Sequence, residues 1–125
     1  MMAMQLVADE MDMTAVNDPA GRELEANVLN KAASMLEEAV GCWQEDTEHA
    51  VLDNALRYNQ TLWGVFQAEL MEESNPLPSE LKQNILTLSS FVDKRTFEVM
   101  AYPEPEKLDI LIKINRGLAE SLMTH

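Results

Sequence analysis

The sequence predicts an all-α fold: a single domain built as an antiparallel bundle of about four helices, preceded by a mobile N-terminal arm. Three observations carry this. Apolar residues recur every three or four positions along four long segments, the spacing that collects them on one face of a helix. No stretch shows the sustained alternation rich in Val, Ile and Thr that a half-buried strand needs. Proline and small polar clusters fall between the four segments, where the chain must turn. A chain of 125 residues is the size of one domain with its own core.

Residues 1–17 are read as a flexible, Met-rich arm. Together with Asp18 they hold five of the nine methionines and four acids, and no capping pattern precedes Asp18-Pro19. Asp18 suits an N-cap and Pro19 a first helical position, where a missing N–H costs nothing. The bundle domain is therefore set at residues 18–125. Its first helix is expected over about 18–43, with Glu23 and Glu25 near the positive end of the helix dipole. The predicted apolar stripe is Leu24, Val28, Ala32, Met35, Leu36, Ala39 and Trp43.

Gly41 falls near the end of that pattern, and Asp46 or Thr47 offers a side-chain oxygen to cap a second helix reaching about residue 73. Its stripe is Leu52, Ala55, Leu56, Asn59, Leu62, Trp63, Phe66 and Leu70. Gly64 sits inside the pattern, where it costs about 1 kcal/mol relative to Ala, so close approach of a neighbouring helix is expected there. Ser74-Asn75-Pro76-Leu77-Pro78 breaks the helix, because each proline lacks an N–H and disfavours helical geometry just before it. A third helix starts near Pro78 or Ser79, with Leu81, Ile85, Leu88, Phe91 or Val92, and Val99 on its inner face. Tyr102-Pro103-Glu104-Pro105 ends it, and a fourth carries Leu108, Leu111, Ile112, Asn115, Leu118 and Leu122. Amphipathic helices with short connections bury their stripes against one another in a bundle. A helical hairpin that completes its core by dimerising is the architectural alternative.

The net charge of -13 lies wholly in residues 1–80, which hold 16 acids against 3 bases. Nucleic-acid affinity comes from Lys and Arg neutralising phosphates, so direct nucleic-acid binding is not expected. The acidic half is either a solubilising surface or a means of steering toward a basic partner. No run of 18 apolar residues exists, and the Met-rich start lacks the basic residues and apolar stretch of a signal peptide, which predicts neither membrane insertion nor Sec-type export. A single cysteine, Cys42, suits a reducing compartment, and a cytoplasmic location is expected.

The chemistry points away from an enzyme. Nucleophilic catalysis needs a nucleophile, a base and an orienting group, and the chain offers one Cys and two His. His49 lies within one helical turn of Glu45 and Asp53, but one imidazole among acids is a poor transition-metal site. Cys42 falls near a helix C-terminus, where the dipole disfavours a thiolate. There is no phosphate-binding glycine loop, and Glu37-Glu38 and Glu72-Glu73 are adjacent pairs rather than carboxylates facing across a cleft. No catalytic residue, cofactor or metal site is assigned.

Asn59 and Asn115 remain, each on the apolar face of its helix. A buried amide must be hydrogen-bonded or it costs a few kcal/mol. Either the two fix helix register by bonding to backbone or to each other, or they line a groove and receive a partner's backbone.

Several runs resemble the FlaF family of bacterial flagellin regulators. Asn59-Gln60-Thr61-Leu62-Trp63 resembles that family's N-x-x-L-W helix, and Asn75-Pro76-Leu77-Pro78 follows, leading into Leu81, Ile85, Leu88 and Val92. Leu111-Ile112-Lys113-Ile114-Asn115-Arg116 resembles the family's L-I-x-I-N-R ending, and Arg22-Glu23-Leu24-Glu25 its early R-x-x-E. The likeness covers residues 22–122 in order, while the start lacks the tyrosine common in the family and Gly117 follows Asn115-Arg116 directly. The resemblance implies a role in flagellum biogenesis, promoting flagellin synthesis or secretion alongside the regulator FlbT.

A helical bundle suited to that role would act as a secretion chaperone, laying a terminal amphipathic helix of flagellin into an apolar groove. The groove is expected beside helices 2 and 4, with Asn59, Trp63, Phe66 and Asn115 as partner-binding residues and Gly64 or Gly117 permitting close approach. For Trp63 and Phe66, plain core packing is the competing expectation. Leu6, Val7, Met11 and Met13 of the arm would occupy the groove when no client is bound. The alternative function is control of flagellin translation through a complex with FlbT, without a hold on flagellin.

Overall fold

Proline and short polar turns divide the chain much as its sequence predicts. The computed structural model describes residues 19–75 and 78–124, which fold into α1 (Pro19–Gly41), α2 (Ala50–Leu70), α3 (Ser79–Ala101), a 3-10 turn (Pro105–Leu108) and α4 (Asp109–Thr124). Among the described residues there is no strand, and the all-α expectation holds. Residues 1–17, the Asp18 cap, Pro76, Leu77 and His125 lie outside the described residues, as do the side chains of Leu81 and Leu122.

The helix ends differ from expectation for local reasons. α1 stops at Gly41, and α2 begins only at Ala50. Asp46 does act as its cap, but across a turn: its two carboxylate oxygens accept from the N–H groups of Val51 (3.2 Å) and Leu52 (3.1 Å). Burial opposes the charge on Asp46, yet these backbone donors win and hold its carboxyl below the usual range. His49, the residue just before α2, takes a left-handed conformation (φ 56°), with its ring 5.5 Å from that of Trp43. α2 ends three residues earlier than expected, and Asn75 Nδ2 donates to the carbonyl of Glu69 at 3.0 Å.

α1 makes its broadest contact with α4 and a second with α2, while α3 packs on α2 and α4 begins beside the end of α1. The hairpin α1–α2 and the pair α1–α4 are each antiparallel. The α1 face that meets its neighbours centres on Ala26, Leu29, Ala32, Ala33, Leu36 and Ala39, all buried. The predicted stripe is therefore turned: Leu24 is exposed, Val28 and Met35 are half-buried, and Ala26, Leu29 and Ala33 take the inner positions. Alanine-rich contact lets two helix backbones approach closely, so the small side chains outcompete the larger ones for the interior. On α3, Val92 rather than Phe91 is buried, with Val99 and Thr96; Leu108, which ends the 3-10 turn, and Leu111 and Asn115 on α4 are buried as expected, and Ala119 joins them.

α2 and α4 scarcely meet at the backbone, and large side chains join them. Trp63 Nε1–H donates to Asn115 Oδ1 at 3.0 Å, and Asn115 Nδ2 donates to Asn59 Oδ1 at 2.7 Å, all within the core. Phe66 stands edge-on to Trp63, with ring centroids 5.1 Å apart. Next along α4, Arg116 reaches to α1, donating to Asn30 Oδ1 at 2.9 Å and Ser34 Oγ at 3.1 Å and pairing with Glu37. Gly64 and Gly117 are both exposed, with nothing within 4 Å of an added Cβ, so neither serves a close helix approach.

The amide chain has a defined direction. Asn59 Nδ2, at its end, is buried without a hydrogen-bond partner. Asn115→Leu strands both the indole N–H and Asn59 Oδ1 and should cost about 2–4 kcal/mol in urea unfolding. Asn59→Leu strands only Asn115 Nδ2 and removes one orphan donor, so its cost should be the smaller of the two.

Candidate functional site

The larger residues that α1 keeps out of its inner face form one wall of a surface groove. Leu24, Val28 and Met35 of α1 face Tyr58, Leu62 and Val65 of α2 across an open, mainly apolar channel of about 720 Å³. Tyr58, Leu62 and Val65 follow a three-to-four spacing along α2, on the side of that helix turned away from α3. Lys31 Nζ lies 5.1 Å from the centre of the Tyr58 ring and stiffens the rim as a cation over its face. Arg57, Asn54 and Thr61 complete the α2 side.

Glu25 supplies the groove's anomalous polar group. It lies in the second turn of α1, is only 4 % exposed, and its Oε2 has no hydrogen-bond partner in the protein. Burial, and then the charge of Glu69 on α2, push its carboxyl up from 4.5 to about 7. Sequence reasoning placed Glu25 near the positive end of the helix dipole and did not identify it as buried. The clue available was its spacing: Glu25 is one turn from Leu29 and one turn plus three from Ala32, on the buried side.

The four residues expected to bind a partner lie elsewhere. Asn59, Trp63, Phe66 and Asn115 are fully buried between α2 and α4, and none lines the groove. The space beside helices 2 and 4 that was expected to be a groove is filled by these side chains. Asn59 and Asn115 bond to each other, one of the two arrangements their positions allowed.

Other candidates resolve locally. Desolvation, followed by the carboxylates of Asp46, Glu38 and Glu45, pushes the Cys42 thiol up, so it is held protonated. Among the described residues no three His, Cys, Asp or Glu side chains are grouped to hold a metal ion, and no helix is long and apolar enough to cross a membrane. A smaller recess of about 490 Å³ lies where Trp43 and Val40 meet Pro105 and Asp109. Phe97, Met100 and Tyr102 are exposed on and after the last turns of α3.

A family model described as flagellar protein FlaF matches residues 12–122, nearly the whole chain and all but the last two residues of the bundle. No curated protein and no solved structure matches it.

The buried carboxyl has a signature in stability. An acid held above its ordinary value stabilises the native state at low pH, and that contribution is lost as pH rises toward the folded value. For Glu25 the window runs from 4.5 to about 7, so up to about 3 kcal/mol should disappear across it. Thermal unfolding should show a midpoint falling between pH 5 and 8, and Glu25→Gln should remove most of that slope.

Proposed function

The chain belongs to the flagellar protein FlaF family, and from that premise we propose that it is a flagellin secretion chaperone: a cytoplasmic binding protein without catalysis that holds a terminal helical segment of flagellin in the α1–α2 groove. The observation that carries the reading is the groove itself. An apolar channel walled by two antiparallel helices accepts a third amphipathic helix, whose side chains at i, i+3, i+4 and i+7 fill it. Flagellin termini, which resemble such segments, must be kept from self-association before assembly. The acid-rich half of the chain, which includes both groove helices, keeps the empty protein and its complex dispersed.

The assignment moves the client site from Trp63 and Phe66 to the residues that those two support from beneath. Regulation through FlbT is the competing function, and a calorimetric titration separates the two. Micromolar or tighter binding of cognate flagellin, lost when its terminal helices are removed, supports the chaperone; binding of FlbT with none of flagellin sinks it.

Groove substitutions localise the contact. Leu24→Glu and Val65→Glu should each weaken flagellin binding by about tenfold or more, the effect of placing a charge against an apolar helix. Because Leu24 is 51 % exposed and Val65 half-buried, circular dichroism melts should change little, least of all for Leu24→Glu. Phe97→Asp, on α3, should leave flagellin binding unchanged.

A further inference from the structure

The groove is apolar except at a few points, and two of these describe its occupant. Near the start of α1, Glu25 lines the channel, is nine-tenths buried, and keeps an Oε2 with no donor in the protein. A buried carboxylate is a poor choice for packing alone, since its charge must be compensated. Toward the other end, Arg57 lines the channel from α2 and is one of only three bases in residues 1–80. The α1 wall from Glu25 to Met35 spans about 15 Å at 1.5 Å per residue, which is about three turns of a docked helix.

We propose that the groove recognises a three-turn amphipathic helix of another protein that carries a lysine or arginine beside its apolar face, placed to reach Glu25, and an acidic residue near its opposite end, placed to reach Arg57. This rests on the groove being the client site. A long basic side chain lays its methylenes along Leu24, Val28 and Leu62 while its head meets the carboxylate, and a charge-assisted bond of that kind fixes the client's direction and register. The proximity of Glu69, whose charge raises the Glu25 carboxyl, adds to the pull on a cation. The chain's own residues 1–17 contain no lysine or arginine and do not meet the requirement.

The test uses the full chain and labelled peptides spanning the terminal helices of cognate flagellin, each with its basic residues changed to glutamine one at a time. Fluorescence anisotropy should find one peptide that loses at least about tenfold in affinity on one such change, and less than about twofold when the protein carries Glu25→Gln. Glu25→Met, a second variant of similar volume, should abolish the same coupling. Arg57→Glu should weaken that peptide and be rescued by changing one of its acids to lysine. Peptides that bind without any basic residue coupling to Glu25 overturn this inference and leave the client reading standing. No binding by any peptide overturns both. Tighter peptide binding after Leu6→Asp with Val7→Asp, with Glu25 uncoupled, assigns the groove to the chain's own N-terminal residues. A dimer in sedimentation that Leu24→Glu dissociates assigns it to a second copy. Either result overturns the inference.

Discussion

The rest of the structure depends on a line of three buried polar groups, the Trp63 indole and the amides of Asn115 and Asn59. The indole N–H is a donor only, so Asn115 must present its oxygen to Trp63 and its nitrogen to Asn59, and Asn59 must present its oxygen in turn. Each position in the chain therefore dictates the orientation of the next. A slip of α4 along α2 by one turn would leave two buried donors and two acceptors unpaired, so the network specifies register where apolar packing alone would tolerate several alternatives.

That constraint decides what the other helix faces do. With Asn115 turned toward α2, the neighbouring Arg116 is carried toward α1, where Asn30, Ser34 and Glu37 receive it. α4 is held against the alanine-rich face of α1, and the large side chains of α2 fill the wider gap to α4. Once α1 has used its small residues inward, Leu24, Val28 and Met35 are left at its margin beside α2. The groove is the remainder of the packing solution. On the proposed reading, the family's flagellar role draws on that remainder, and the core amides serve it indirectly by holding α2 in place.

Much of the fold was legible because helix period, proline position and turn residues are local signals. The breaks near Gly41, Pro76-Leu77-Pro78 and Pro103 all lie at or beside those residues. Asn59 and Asn115 could be placed on apolar faces from spacing alone, and the N-x-x-L-W and I-N-R runs turn out to be the two halves of one hydrogen-bonded network. What could not be read was which of two overlapping stripes on α1 faces inward. Leu24, Val28 and Met35 are more apolar than Ala26 and Ala33, and hydrophobicity favours them. Close backbone approach favours alanine, and that preference appears only when α4 is present. The same ambiguity hid Glu25, whose acidity argued for solvent while its register argued for the interior. Gly64 and Gly117 misled in the opposite sense, since neither helix has a neighbour at those points.

The central claim is that the partner lies on the α1–α2 face while the indole–amide core stays closed. Nuclear magnetic resonance of the isotope-labelled chain titrated with cognate flagellin tests it most directly, because methyl signals report the groove and the Trp63 indole N–H reports the core. The account predicts large shifts at Leu24, Val28, Met35, Leu62 and Val65, with the Trp63 indole N–H unmoved and still protected from exchange. A displaced or rapidly exchanging Trp63 indole N–H, with the groove methyls unchanged, would contradict it.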